Sequence, residues 1–506
     1  MRTLVALLDG REVGYVRQQE SRLTFIYEDS WRTAPGAYPL SLSLPLASKD
    51  HPHGAINPFL WGLLPDNEII LDRWARRFHV SARNPFALLN YVGEDCPGAV
   101  QLATPDRVEE LRDRSKGEIQ WLTDSEIAER LKGLQKDISA WRASTDTGQF
   151  SLAGAQPKTA FYYEEGRWGI PSGALPTTHI LKPPNANLDG HPENEHICLQ
   201  LAKALGLPTA TSKVQTFEGI PAIVIERYDR VRISDLATAE AARAASNAAE
   251  AAMHAANPEI SDDERARLSA VAAANAADAA TSAAQLRAFA DSNPIYRVHQ
   301  EDLCQSMRIL PTAKYENQGG PSAKAIVELL RSSVFGGNRY PKQDEAAGDS
   351  TQRLVAVQED IQVFVDALIY NWLIGGTDAH AKNYSLLLGA GGLVRLAPLY
   401  DLASVLAYPT FDIKKVKLAM KIGGKYRLHR IGTTEWRKCA KELRVEPTQL
   451  LDRIREMATA LPDHLSTVIR SARQDGISHS IMDALMESLI ARAKQCRMAI
   501  ETSVSA

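Results

Sequence analysis

A chain of 506 residues exceeds the length at which one hydrophobic core usually stops growing, so two or three packed units are expected. Hydrophobic residues at 44% and charged residues at 24% are ordinary for a folded protein and exclude wholesale disorder, while a net charge of −3 provides no global attraction to nucleic acid. The five cysteines include no C-x-x-C pair, which excludes the common zinc and thioredoxin-like spacings and fits a reduced cytoplasm. The short apolar run at the N-terminus is broken by Asp9 and lacks a cleavage pattern. No stretch of about eighteen apolar residues follows, so neither secretion nor a membrane span is expected.

In chain order, residues 5–8 and 13–16 flank Asp9-Gly10, a pair suited to positive φ, and predict a hairpin. With the apolar stretches 38–46 and 58–65 they define a small β-containing module at 1–115. Over 116–230, strand-like runs at 159–163, 179–181 and 220–225 surround one helix from Glu193 to Leu205. Pro192 suits its first turn, and Gly206 with Pro208 stops it, so a small α+β lobe is predicted. Residues 231–297 form an insertion, because 237–290 hold 25 alanines and little to bury. An exposed helical hairpin is expected there, with Asn257-Pro258 ending its first helix and Ser261-Asp-Asp-Glu264 capping its second. From 298 to 506 helical periodicity dominates. Ile361, Val365, Leu368 and Trp372 share a face that ends at Gly375-Gly376, and 447–502 reads as several more helices.

Phosphoryl transfer needs a carboxylate for the attacking hydroxyl, oxygen ligands for Mg²⁺, and cations and amides on the phosphates. Gly376-Thr-Asp-Ala-His-Ala-Lys-Asn383 places Asp378 and Asn383 five apart, the offset of the kinase H-R-D-x-x-x-x-N loop. Tyr400-Asp401 follows a strand-like 394–396. Asp378 is therefore read as the base, and Asn383 and Asp401 as metal ligands. Upstream, the small-residue loop Phe150-Ser-Leu-Ala-Gly-Ala-Gln-Pro-Lys158 lets backbone approach phosphate. Lys182 stands thirteen residues before Glu195, as in the strand-lysine to helix-glutamate ion pair of kinases. Glu226-Arg227-Tyr228 falls at the junction between lobes, where backbone groups meet adenine. His380 has no companion histidines at ligand spacing, which argues against a metallohydrolase.

Taken together, Ser41-Leu-Ser-Leu-Pro45, Leu64-Pro-Asp-Asn67, Gly98-Ala-Val-Gln101, Ser151-Leu-Ala-Gly-Ala-Gln156, Asn194-Glu195, Glu226-Arg-Tyr-Asp229, the 378–383 loop and Tyr400-Asp401 make the chain resemble the HipA family of serine/threonine kinase toxins over nearly its whole length. The alanine-rich insertion departs from that pattern. The resemblance implies an α+β, protein-kinase-like two-lobed fold with a small N-terminal β-containing subdomain and a large α-helical C-terminal lobe. It implies an ATP- and Mg²⁺-dependent kinase with Asp378 catalytic. The nucleotide would be held by Ala153, Gly154, Ala155, Gln156, Pro157 and Lys158 of the loop, by Lys182, by Glu226, Arg227 and Tyr228, and by His380, Lys382, Asn383, Tyr400 and Asp401. Ser151 is the autophosphorylation site that the resemblance implies; a phosphate there would repel those of the nucleotide. Further implied are an aminoacyl-tRNA synthetase target, glutamyl-tRNA synthetase foremost, a HipB-like DNA-binding antitoxin, and repression at operator DNA. Lys414, Lys415, Lys417, Lys421, Lys425, Arg427 and Arg430 lie within twenty residues that contain one acid, Asp412, and Lys421, Lys425 and Arg427 are candidate DNA contacts. A non-catalytic DNA-associated co-repressor and a small-molecule or lipid kinase remain the rival readings.

Overall fold

The computed structural model describes residues 2–113, 117–141, 150–185, 188–257, 260–290, 295–333 and 347–501. The N-terminal module is a five-stranded antiparallel sheet in the order Asp50–His51, Arg22–Tyr27, Arg11–Gln19, Arg2–Leu8, Val100–Ala103. Its first hairpin turns at Asp9 and Gly10, both at positive φ, and pairs Leu8 with Arg11. Side chains alternate across the sheet. Leu4, Ala6 and Leu8 enter the main core, whereas Val5 and Leu7 pack on Ala103, Val108 and Leu111. The helices His53–Gly62, Glu68–Phe78 and Pro85–Val92 cover the module, and Asn67 caps the second of them by accepting from Ile69 N–H at 3.0 Å.

A six-stranded antiparallel sheet follows, in the order Ser212–Phe217, Ile220–Glu226, His179–Lys182, Thr159–Glu164, Arg167–Pro171, Ile119–Leu122. The helix against it runs His191–Ala204, two residues earlier than its apolar spacing predicts. Its first nine residues are all buried, polar ones included, because the sheet lies on one side and the C-terminal helices Pro447–Gln474 and Ile481–Glu501 on the other. The C-terminal lobe is built around Ala347–Ile374, whose Ile361, Val365, Leu368 and Trp372 are buried, with Ala323–Ser333 and Thr433–Leu443 packed beside it. A three-stranded sheet, His299–Asp302, Ser385–Gly389 and Leu393–Leu396, faces the other lobe. The fold is thus α+β, with a small sheet-bearing N-terminal region and a helical C-terminal lobe. Among the described residues no helix is long and apolar enough to cross a membrane. All five cysteines are buried and unbridged.

The alanine-rich segment forms two packed helices, Ile233–Ala256 and Asp262–Ala290, with Ala272, Ala279 and Ala283 buried along them. Arg265 closes their turn through the carbonyls of Asn257 (2.9 Å) and Ile260 (3.2 Å); Pro258, expected to end the first helix, and Thr502, expected at the end of the last, lie outside the described residues. The hairpin springs from two strands, Arg230–Arg232 and Ile295–Arg297, that pair Arg232 with Ile295. Its stems are therefore held together whatever lies between them. Replacing 238–290 by a short Gly/Ser linker is expected to move the thermal midpoint by less than about 3 °C, because loop length changes closure entropy slowly. Differential scanning calorimetry checks this, and a drop of ten degrees or more would make the hairpin structural.

Candidate active site

A cleft enclosing roughly 1100 Å³ of open space lies between the six-stranded sheet and the C-terminal lobe. Lys182, at the end of its strand, donates to Glu195 Oε1 at 2.8 Å and also meets the Asp401 carboxylate. Three separate elements from both lobes thus share one ammonium. Burial works against the charge on Lys182, but Asp401 and Glu195 outweigh it and hold the pKa above its ordinary value. Glu195 is raised chiefly by burial, with Lys182 opposing; burial would also raise Asp401, but Lys182 and Lys158 hold it well below the carboxylate range. Asp401 sits at φ 58°, a left-handed conformation uncommon for a residue with a side chain, which re-aims the chain as it enters the cleft.

The phosphate-type loop lies against the N-terminal module. Gly154 accepts from Asp66 N–H at 3.1 Å, Ser151 N–H donates to Asp95 O at 3.0 Å, and the fully buried Ser151 hydroxyl donates to Leu63 O at 2.6 Å. Gly154 has φ 103°, a conformation that strains any other residue, and a Cβ there would lie 2.6 Å from Lys158 Nζ, so the lysine end would have to shift. Lys158 bonds the Ala153 carbonyl; burial and the neighbouring charge of Lys182 lower its pKa to about 8. Gln156 reaches His191 at 3.0 Å from the start of the Glu195 helix.

The 376–383 loop folds back on itself. Asp378 O accepts from His380 N–H (2.7 Å) and Asn383 Nδ2 (2.8 Å), and Asn383 N–H donates to His380 O at 2.9 Å. With its amide nitrogen committed, Asn383 keeps Oδ1 for a ligand, the atom type a hard cation prefers. The Asp378 side chain remains 60% exposed; it accepts from Tyr315 Oη and lies 3.6 Å from His380 Nε2. Its pKa is raised, removal from bulk water being the first cause and the Tyr315 hydrogen bond opposing. His380 is driven to about 3 by burial first and the nearby Lys314 second, so it stands neutral beside the aspartate.

Two of the cleft-lining residues have their charged ends held by the protein. Lys382 is buried and donates to Asp302 Oδ2 (2.8 Å) and Gly62 O (3.2 Å), with Asp66 Oδ1 at 3.6 Å. Arg227 donates to Thr177 Oγ1 (2.8 Å), Cys96 O (2.9 Å) and Asp229 (3.0 Å). It joins a buried cluster in which Arg230 meets Asp95 at 2.8 Å, Gly98 N–H meets Asp229 at 2.6 Å, and Arg297 lies 3.5 Å from Asp95. In both, carboxylates already in place hold the charge: Asp302 for Lys382, and Asp229, two residues on, with Asp95 for Arg227. At the junction, Glu226 N–H and Arg227 N–H each donate 2.9 Å to protein carbonyls, of Thr211 and Thr178, which narrows hinge contacts to Tyr228 N–H and carbonyl oxygens. The Tyr228 and Tyr400 rings lie 5.9 Å apart on the cleft wall, and Tyr400 Oη donates to Lys382 O at 2.8 Å.

Lys421, Lys425 and Arg427 are exposed side chains of a two-stranded ribbon, Lys417–Ile422 and Lys425–Arg427, whose Leu418, Ala419, Met420 and Ile422 are buried. Lys421 is tied to Glu316, its N–H donating at 2.6 Å. Asp66, Lys314 and Tyr315 line the cleft or hold its aspartate, yet motif spacing did not single them out for the site. Asp66 falls within the quoted Leu64-Pro-Asp-Asn67, and for Lys314 and Tyr315 the Lys314-Tyr-Glu316 triplet between Pro311 and Gly319-Gly320 is the signal that could have found them.

Comparison with known proteins fits this geometry. The HipA N-terminal domain matches residues 4–103, and the HipA-like C-terminal domain matches 150–291 and 248–465. The chain belongs to the HipA family of serine/threonine-protein kinases. Across 99% of its length it is 29% identical to Y4mE of Sinorhizobium fredii, which carries a kinase name, all of that protein being covered. It is 24% identical to the serine/threonine-protein kinase toxin HipA of Shewanella oneidensis over 88% of this chain and 83% of the relative. The solved Shewanella oneidensis HipA, in complex with HipB and operator DNA, superposes with a TM-score of 0.70 at 21% identity over 97% of each chain, a likeness of fold. The alanine-rich hairpin falls inside a region that the HipA-like domain matches in two overlapping pieces.

His380 binds a proton in the unfolded chain near 6.5 but in the folded protein only near about 3. It therefore contributes stability above 6.5 that is lost as pH falls towards 3. Urea unfolding of His380→Gln and of the parent should show the parent losing up to about 1.4 kcal/mol more per pH unit across that window. Parallel pH profiles would mean that His380 titrates alike in the folded and unfolded chain, and would reject the buried neutral imidazole.

Proposed function

We propose that this chain transfers the γ-phosphoryl group of ATP, with Mg²⁺, to a serine or threonine hydroxyl of a protein and so acts as a growth-arresting toxin. The observation that carries the reading is the convergence of Lys182, Glu195 and Asp401 with Asp378 and Asn383 around one cleft, although 219 residues separate Lys182 from Asp401. The donor set suits the metal: Asn383 is left with its oxygen, and Asp401 stays ionised. Mg²⁺ there would offset the charge of the phosphates. Loop residues 153–158 would bring backbone to the phosphates, with Gly154 giving the closest approach, and Tyr228 N–H would meet the adenine edge. Lys382 and Arg227 would support the site from behind.

In the transfer, the acceptor oxygen forms a bond to Pγ as the bond from Pγ to the β-phosphate bridging oxygen breaks. ADP leaves with that electron pair, and the hydroxyl proton passes to Asp378, the exposed carboxylate at the cleft mouth. The Tyr315 hydroxyl would fix the aspartate's direction, with the neutral His380 ring beside it at 3.6 Å.

The family, and the HipB and operator DNA bound to the Shewanella relative, support a HipB-like antitoxin and operon repression for this chain as well. Lys421, Lys425 and Arg427 are exposed and suited to phosphate backbone contact in such an assembly. An aminoacyl-tRNA synthetase, glutamyl-tRNA synthetase first among them, is the target class proposed. Autophosphorylation at Ser151 requires the loop to leave its place, since the hydroxyl faces Leu63 O rather than the cleft.

Purified Asp378→Gln should lose transfer from γ-labelled ATP by ~10²–10⁴-fold while binding nucleotide as the parent does. An active Asp378→Gln protein would reject the base assignment. For Ser151→Ala, intact-mass analysis after incubation with Mg²⁺ and ATP should find no phosphate on the 150–158 loop, whereas the parent gains one. A phosphate on the variant's loop would move the modification elsewhere.

A further inference from the structure

Four lysines, Lys158, Lys182, Lys314 and Lys382, line the cleft. Lys182 is shared by Glu195 and Asp401, Lys382 is enclosed by Asp302 and Gly62 O, and Lys158 bonds its own loop at Ala153 O. Lys314 differs in where it stands. Its segment, from Pro311 to Gln318, is two short 3-10 turns laid across the catalytic loop. Ala381 N–H donates to Lys314 O at 3.3 Å, Tyr315 Oη donates to Asp378, and the Tyr315 ring meets His380 edge-on at 4.8 Å. The backbone of Lys314 and the side chain of its neighbour Tyr315 are thereby anchored to the catalytic loop, and the charge of Lys314 acts on Asp378 and His380, lowering the proton affinity of each.

What holds the ammonium comes from the other end of the sequence. Lys314 Nζ donates 2.9 Å to Asp66 Oδ2, in the turn between the helices His53–Gly62 and Glu68–Phe78. Asp66 also donates its N–H to Gly154 O, so the same residue fixes the phosphate-type loop. Its carboxylate is buried, and Oδ1 has no hydrogen-bond partner within 3.5 Å, although Lys382 Nζ stands 3.6 Å away. An ammonium has three donors, and the Asp66 bond uses one of them.

We propose that Lys314 is a catalytic cation that meets the transferring phosphoryl group on the acceptor side, and that Asp66 of the N-terminal module positions it. This rests on the kinase reading above and adds to it a residue and a role for the module. As the acceptor oxygen bonds Pγ, the bridging oxygen leaves with its electron pair and the proton goes to Asp378. Charge spreads over the three equatorial oxygens, and Lys314 stabilises it through N–H···O contacts while keeping its own proton. Lys182 serves the nucleotide from the opposite side. The N-terminal module then completes the active site rather than decorating it.

The test uses the full-length chain as parent, Lys314→Met, Lys314→Arg and Asp66→Asn. Two quantities are read: single-turnover transfer from γ-labelled ATP, and calorimetric affinity for Mg²⁺-ADP with and without aluminium fluoride, a mimic of the planar phosphoryl group. Lys314→Met should slow transfer by ~10²–10³-fold, leave ADP affinity within about 3-fold, and abolish the tightening that aluminium fluoride gives the parent. Lys314→Arg should restore part of both losses. Asp66→Asn should lower kcat with the KM for ATP unchanged, a split that mere loosening of the fold would not give. Transfer and tightening as in the parent would overturn the proposal, as would loss of ADP affinity in step with rate, or a parent that shows no tightening. A parent that binds no nucleotide sinks the kinase reading as well. One that binds and tightens but transfers nothing sinks only that reading, because the aluminium fluoride comparison still reports on Lys314.

Discussion

Five charges withdrawn from water hold the three parts of the molecule in one arrangement. Asp95 comes from the N-terminal module, Arg227 and Asp229 from the junction of the lobes, Arg230 from the strand leaving it, and Arg297 from the strand that enters the C-terminal lobe. Burial alone would push both aspartates up, but the arginines hold Asp229 near about 2 and Asp95 lower still. Removing one member of such a group leaves a buried charge without compensation, typically a loss of about 3–5 kcal/mol. The segments are therefore under pressure to assemble together or not at all. The junction Glu226 to Tyr228, which borders the cleft, takes its shape from this cluster.

The cleft inherits its electrostatic character from that assembly. Acids and lysines are interleaved in it: Glu195 and Asp401 on Lys182, Asp302 on Lys382, Asp66 between Lys382 and Lys314. Pairs as buried as Lys182 with Glu195 and Lys382 with Asp302 interact far more strongly than pairs at a surface, and they resist reorientation. A polyanion entering the cleft meets fixed charges that need no rearrangement of solvent, the condition under which electrostatic stabilisation is most effective.

What the sequence disclosed and what it hid divides by range. The Asp378 to Asn383 spacing was legible because one loop encodes it, and the Asn383 side chain closes that loop on the Asp378 carbonyl. The Lys182 and Glu195 pairing was legible because a strand and the next helix set it. The predicted hairpin and the stop after Ile374 rest on Asp9-Gly10 and Gly375-Gly376, local signals again. Lys382 and Arg227 were placed at the nucleotide because their motifs adjoin it. Both line the cleft, and their ammonium and guanidinium ends also reach Gly62 and Cys96, 320 and 131 residues away, partners no periodicity or spacing can reveal. The extent of burial at the start of the Glu195 helix was hidden: His191, Glu193 and Asn194 are polar yet buried by two lobes, which apolar spacing alone does not show.

The cysteines give the molecule a property of another kind. Each is enclosed, and burial raises every thiol, Cys96, Cys198, Cys439 and Cys496 to about 12 and Cys304 beyond. The thiolate is the form that reacts with peroxide or exchanges with disulfides, and at neutral pH these side chains hold almost none of it. They behave as small apolar packing atoms. While the fold is intact, an oxidant in the surroundings finds no reactive thiolate on this chain; the sulfur it meets includes the exposed thioethers of Met253 and Met498.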